Sequence, residues 1–375
     1  MRVRYKFNLV EPLMSVSSST EEVVEPVARS SADRVPVFLS EVTQIFAGKP
    51  FAPHPLFRGG HAQTLASFAW PRRFRFRPPG DEKRLFEVAP NTRVLAHCRW
   101  HDNRNAHPTL VLWHGIEGSS DAVYMLATAQ KAFRVGFNVV RMNLRNCGGT
   151  EHLTPTLYHG GLSDDLRAVV KELIERDGLS RLFLLGFSLG GNMVLKLAGE
   201  YADHPPQEII AVCAISPSVD LDASGNSIGQ SSNWIYHRDF VRRLKNRIRL
   251  KGKLYPEVYD TSDLHLVRTL REFDERFTSV AHGFADAADY YHRASALRVM
   301  DKIRVPTLII HAQDDPFIPF APLRHPSVGA NPYILLLGPE RGGHVAFVAA
   351  AAKDEDRFWA ENRVLEFCKL AQDSF

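Results

Sequence analysis

Ser188 stands between two glycines, in Gly186-Phe187-Ser188-Leu189-Gly190, after the apolar run Arg181-Leu-Phe-Leu-Leu185 and before a helical stretch at 190–201. A serine on a sharp turn between a strand and a helix can act as a nucleophile. The turn lifts its hydroxyl above the sheet, and the glycines let neighbouring backbone pass close. The same turn opens a helix, so the backbone N–H of Leu189 would point at a developing oxyanion. A serine hydroxyl is a weak nucleophile and needs a base. His344, in Arg341-Gly-Gly-His344-Val-Ala-Phe, sits on a glycine-flanked loop after the last expected strand and can swing over the serine. The base needs a carboxylate to hold its tautomer and to stabilise the imidazolium. Asp314 and Asp315 compete for that role, after a strand ending at Ile310. Asp315, directly before Pro316, is preferred; the other would then form a turn or a cap. Asp220 and Asp222, after another strand end, are lesser candidates. A second oxyanion donor is expected from Trp113-His114-Gly115-Ile116-Glu117-Gly118, with the N–H of Ile116 as the candidate and His114 as a structural loop residue. This set performs acyl transfer through an acyl-serine and calls for no metal and no organic cofactor.

The elements that must position these residues follow from hydrophobic patterning. Thr109-Leu-Val-Leu-Trp113, Phe137 to Met142, Arg181 to Leu185, Ile209 to Ile215, Val305 to Ile310 and Tyr333 to Leu337 are short apolar runs, as in strands buried on both faces. Helical stretches at 121–135, 162–174 and 190–201 alternate with them, and a last helix is expected at about 355–371. Such alternation predicts a mostly parallel central sheet with helices on both faces. Leu85 to Val88 and Val94 to Cys98 read as a hairpin with its turn at Pro90-Asn91.

Residues 218–299 break the alternation and predict a helical cap inserted at a strand end, where ligands of open α/β sheets bind. The expected organisation is a disordered tail at 1–35, a core at 36–217, the cap at 218–299 and the rest of the core at 300–375. Residues 36–80 show no clear periodicity. Within the cap, His237 to Glu257 carries eight basic residues, with Phe240, Val241, Leu244 and Ile248 on one helical face. A lid helix with a solvated charged face is the favoured reading; peripheral contact with an anionic membrane is the alternative.

Composition narrows the classes further. A 375-residue chain that is 45% hydrophobic can bury a large core. A net charge of +4, from 46 basic against 42 acidic residues, is too mild to make nucleic acid the expected partner. Cys98, Cys147, Cys213 and Cys368 lie far apart, which argues against a disulfide framework or a zinc site and fits a reducing, cytoplasmic setting. The N-terminus lacks the apolar stretch of a signal peptide, and no run approaches the roughly 18 apolar residues of a membrane span.

Several further motifs complete a resemblance. They are His54-Pro-Leu-Phe-Arg-Gly-Gly-His-Ala-Gln-Thr64, Asn143-Leu-Arg-Asn-Cys-Gly-Gly149, Tyr158-His-Gly-Gly-Leu-Ser-Asp-Asp165, Arg271-Glu-Phe-Asp274 and Tyr290-Tyr291. With the Asp-Asp-Pro loop, they make residues 50–370 resemble the AB hydrolase-4 family of α/β hydrolases, the YheT-like and ABHD-type esterases. The resemblance implies the α/β-hydrolase fold and hydrolysis or transfer of acyl esters, often medium-chain and including lipid esters. It puts the triad on Ser188, Asp315 and His344. Asn146 stands where that family usually has glycine. Acyl transfer to an alcohol, phospholipase activity and a non-catalytic binding role on the same scaffold remain as alternatives.

Overall fold

The computed structural model describes residues 31–70, 72 and 81–375. Eight strands form one sheet: β1 (Glu82–Ala89), β2 (Thr92–Arg99), β3 (Thr109–Trp113), β4 (Asn138–Met142), β5 (Leu182–Phe187), β6 (Ile209–Ile215), β7 (Thr307–Ile310) and β8 (Ile334–Leu337). Their order across the sheet is β1-β2-β4-β3-β5-β6-β7-β8. β1 and β2 form the expected hairpin, with Ala89 opposite Thr92, and β2 pairs antiparallel with β4. Every other pairing is parallel. The apolar runs of β3 to β7 are buried along their whole length, as strands covered on both faces must be.

The helices divide between the two faces. α1 (Ser31–Ala47) and α2 (Gly60–Ala69) precede the sheet. α3 (Val123–Arg134), α4 (Ser163–Glu175) and α5 (Leu189–Tyr201) connect its first strands. Successive strand residues point to opposite faces, so Val111 and Trp113 pack with α4 and α5. Leu110 and Leu112 pack with α1, α3 and the C-terminal helix.

Between β6 and β7 the chain builds α6 (Leu221–Ile228), α7 (Trp234–Leu254), α8 (Leu270–Phe273), α9 (Ser279–His282) and α10 (Ala287–Ala294). Val241, Leu244 and Ile248 of α7 join Ile228, Leu264 and Phe273 in a separate small core. α11 (Pro326–Gly329) precedes β8, and α12 (Trp359–Ser374) closes the fold. No helix among the described residues is long and apolar enough to cross a membrane.

The stretch before β1 differs from expectation. α1 begins at Ser31, so the expected tail boundary at residue 35 falls inside a helix; residues 1–30 lie outside the described residues. Val35, Phe38, Leu39, Val42 and Phe46 form its buried stripe. Pro36, which lacks the amide a helix interior uses, hides that periodicity in the sequence. α2 falls in the segment that shows no clear pattern. Asn146 has φ +63°, a left-handed conformation that glycine adopts freely and asparagine tolerates best among other residues, which accounts for the exchange.

The loop after β4 is fixed by charge. Arg145 Nε donates to Asp165 Oδ2 at 2.7 Å, its Nη2 donates to Asp165 Oδ1, and its Nη1 donates to Thr156 Oγ1 at 2.8 Å. Both charged partners are buried. Asp165→Ala leaves the guanidinium buried without a counter-charge, and the expected cost is about 3–5 kcal/mol. Urea denaturation measures it; a loss below about 1 kcal/mol would class the pair with exposed ones.

Candidate active site

Ser188 follows β5 and caps α5 with φ +52° and ψ −115°. Its amide donates to Ile215 O at 2.9 Å, which ties the turn to β6. The flanking glycines are steric necessities. A Cβ on Gly186 would lie 2.1 Å from Gly190 O, and one on Gly190 would lie 2.5 Å from Trp113 O.

The turn brings Ser188 to a histidine 156 positions away: His344 Nε2 is 3.0 Å from Ser188 Oγ. His344 Nδ1 is 2.8 Å from Asp315 Oδ2. The amides of Phe317 and Ile318 donate to Asp315 Oδ1 at 2.8 and 3.0 Å. Burial pushes the Asp315 carboxyl up. The adjoining His344, with His311 and the Ile318 amide, outweighs burial and holds it below the usual value. An ionised Asp315 accepts from Nδ1–H, which leaves Nε2 to accept the serine proton.

Asp314 has other work. Its Oδ1 accepts from the Gly343 amide at 2.9 Å and so pins the loop before His344. Asp220 caps α6 through the Ala223 amide, and Asp222 pairs with Arg271 at 2.7 Å. Neither is a partner of His344.

The His344 loop is also held by α2, a contribution that local sequence patterning does not reveal. The His344 amide donates to Thr64 Oγ1 at 2.9 Å. Gln63 is fully buried; its Nε2 donates to Val348 O at 3.0 Å and its Oε1 accepts from Val348 N at 2.8 Å. A Cβ on Gly60 would lie 1.9 Å from Asp314 O, so the helix start and the acid loop touch backbone to backbone. The Gly-His-Ala-Gln-Thr motif is the one sequence signal that marks this helix.

The loop after β3 closes the other side. Ile116 and Leu189 both border the space at Ser188. The Gly115 amide donates to Tyr124 Oη at 3.1 Å and the Glu117 amide to Tyr158 Oη at 3.0 Å. The amide of Ile116 therefore lies between two that tyrosines occupy. Glu117, at φ +52°, accepts from Tyr158 Oη at 2.8 Å and from Arg247 of α7 at 2.9 and 3.0 Å. His114 is fully buried; Leu144 N donates to its Nε2 at 3.1 Å, so its Nδ1–H donates to Gly115 O at 2.7 Å. Burial, only partly opposed by the Gly115 carbonyl, takes its pKa down to about 4.

The basic helix α7 turns three of its eight basic residues inward and leaves Arg238, Arg242, Arg243, Arg249 and Lys253 exposed. Arg247 meets Glu117, Lys245 Nζ donates to Val267 O at 2.9 Å, and Lys251 donates to the carbonyls of Glu151 and Thr154. Burial lowers the Lys251 ammonium to about 8. Its apolar face forms the small core, and Phe240 lines a cleft of about 790 Å³ that also borders Ser188 and His344.

His114 gives a pH dependence with a definite sign. In the unfolded chain it binds a proton below about 6.5, while in the folded chain it resists until about 4. Stability is therefore complete above pH 6.5 and falls as pH drops toward 4, by about 3 kcal/mol from this group. Urea midpoints between pH 7 and 4 should decline accordingly, with a shallower slope in His114→Gln. An equal slope in that variant would assign the effect to other groups.

Comparison with known proteins agrees with this architecture. A family model described as alpha/beta hydrolase fold matches residues 108–347. The chain is 29% identical over 330 residues to YheT of Escherichia coli (strain K12), covering 87% of this chain and 94% of that protein. It is 31% identical over 281 residues to a monoacylglycerol lipase of Saccharomyces cerevisiae, covering 72% of this chain and 60% of the lipase. An esterase of Pyrococcus furiosus shares the fold with a TM-score of 0.52 at 17% identity, over 80% of this chain and 98% of the esterase. A strand order with one antiparallel edge, a serine on the turn after β5 and a family match over residues 108–347 lead to one assignment: the chain belongs to the α/β-hydrolase fold family.

Proposed function

We propose that this chain is a serine carboxylic ester hydrolase acting on small-molecule acyl or lipid esters. The observation that carries the reading is the continuous relay from Asp315 through His344 to Ser188, at 2.8 and 3.0 Å, on the wall of an open cleft. The lipase among its relatives supports the same chemistry.

In this mechanism Ser188 Oγ attacks the ester carbonyl while His344 Nε2 takes its proton. Asp315 holds the ring and stabilises the imidazolium. The oxyanion is received by the amides of Ile116 and Leu189. Leu189 opens α5, where an amide has no acceptor within the helix. The intermediate collapses, the bond to the alcohol oxygen breaks, and His344 protonates that oxygen. Water then repeats the sequence on the acyl-serine. An alcohol entering by the same cleft would give acyl transfer with the same residues. The four buried, unpaired cysteines support a reducing, cytoplasmic location.

Ser188→Ala should lower turnover of p-nitrophenyl esters by at least about 10³-fold, with the fold unchanged by circular dichroism. Wild-type protein should react with a fluorophosphonate at Ser188, and added ethanol should divert part of the product to ethyl ester. Wild-type turnover in the variant would sink the nucleophile assignment.

Thr64 is a positioning residue. Thr64→Val keeps the shape and removes the acceptor for the His344 amide. A tenfold fall in kcat with little change in KM is expected, since one lost hydrogen bond is worth about 1.4 kcal/mol. Thr64→Ser should restore the rate; equal losses in both variants would mean that packing, not the hydrogen bond, matters.

A further inference from the structure

The space around Ser188 is divided into two unequal parts. One is the open cleft of about 790 Å³, bordered by Ser188, His344 and Val345. The other is a chamber of about 90 Å³ under the helices between β6 and β7. Ser188 borders both, but His344 borders only the cleft. The chamber lining is mostly buried and apolar, with Leu244, Leu270 and Phe273 in its wall.

Proton transfer decides which part of an ester enters which space. The leaving oxygen takes its proton from His344, and the incoming water gives one to His344. Both must stand on the His344 side, in the cleft. The acyl group stays on Ser188 while the alcohol departs and water enters. It needs a space that leaves His344 open, and the chamber is that space.

We propose that the chamber is the acyl subsite and that it selects acyl groups of about two to four carbons, with the larger alcohol portion lying in the cleft. This rests on the reading of Ser188 as nucleophile. The size follows from volume. An apolar cavity of about 150 Å³ holds benzene, about 25 Å³ for each carbon; at 90 Å³ the chamber has room for three or four. Each turnover is balanced. The Ser188 Oγ–acyl bond forms as the acyl–alkoxy bond breaks, the serine proton passes through His344 to the alcohol, and water reverses the exchange to release a short carboxylic acid.

Gly225 offers a gentle test because it lines the chamber from α6. A Cβ there would meet nothing closer than Tyr291 Oη at 3.7 Å, an ordinary contact, and alanine favours the helix. The added methyl takes about one carbon's worth of space. With p-nitrophenyl acetate, butyrate, hexanoate and octanoate, wild-type kcat/KM should peak at acetate or butyrate and fall at least tenfold by octanoate. Gly225→Ala should lower the butyrate-to-acetate ratio at least tenfold. Leu270→Ala, which enlarges the chamber, should raise the hexanoate-to-acetate ratio by a similar factor. Each readout is a ratio within one protein, so partial loss of folded enzyme does not disturb it. A wild-type preference for octanoate, or an unchanged ratio in Gly225→Ala, would overturn the subsite. Absence of turnover on every ester would also overturn it, and fluorophosphonate labelling separates the causes. If Ser188 labels, only the short-acyl assignment falls; if it does not, the nucleophile reading falls with it.

Discussion

Ser188 is held at φ +52° and ψ −115°, angles that a residue with a side chain rarely adopts and that cost on the order of 1–3 kcal/mol. The conformation persists because three elements close around it. Its amide is bonded to β6, its carbonyl accepts from the Asn192 and Ser218 amides, and the backbone after β3 presses against Gly190. Burial of β3, β5 and β6 supplies the rigidity that offsets the strain. Once the turn is fixed, so is the serine hydroxyl, and each other part of the site is arranged relative to it.

The histidine has no such strand-to-helix turn and is instead fastened from several directions. Thr64 holds its amide, Asp314 holds the preceding glycine, Ser216 Oγ accepts from the following amide at 3.0 Å, and Gln63 brackets Val348. Val345 and Phe347 are both at positive φ, unusual for residues of their shape, so the loop is kinked and needs these anchors. The adjacent aspartates divide the work. Asp315 orients the imidazole ring, while Asp314 fastens the backbone that carries the ring.

The helices between β6 and β7 are attached to the site through charge. Arg247 reaches from α7 to Glu117, which shares its carboxylate with Tyr158. A buried ion pair repays little net stability once desolvation is counted, but it tolerates few geometries. It fixes the loop that carries Ile116 to the helix that roofs the cleft. The shape of the cleft and the position of the Ile116 amide are therefore linked.

The sequence alone determined the features that depend on neighbouring residues. Buried, mostly apolar runs from Thr109 to Ile310 marked β3 to β7, because a strand covered on both faces has few polar positions to interrupt it. The glycine–serine–glycine turn followed from local sterics. Tertiary structure decided what depends on distant partners. Which of Asp314 and Asp315 faces His344 is set by a loop 29 positions away, and the Thr64–His344 contact spans 280 positions. α1 stayed hidden because Pro36 interrupts a stripe whose meaning comes only from packing on the sheet. The division of space around Ser188 into cleft and chamber depends on how the helices after β6 cross, and no local periodicity encodes a crossing.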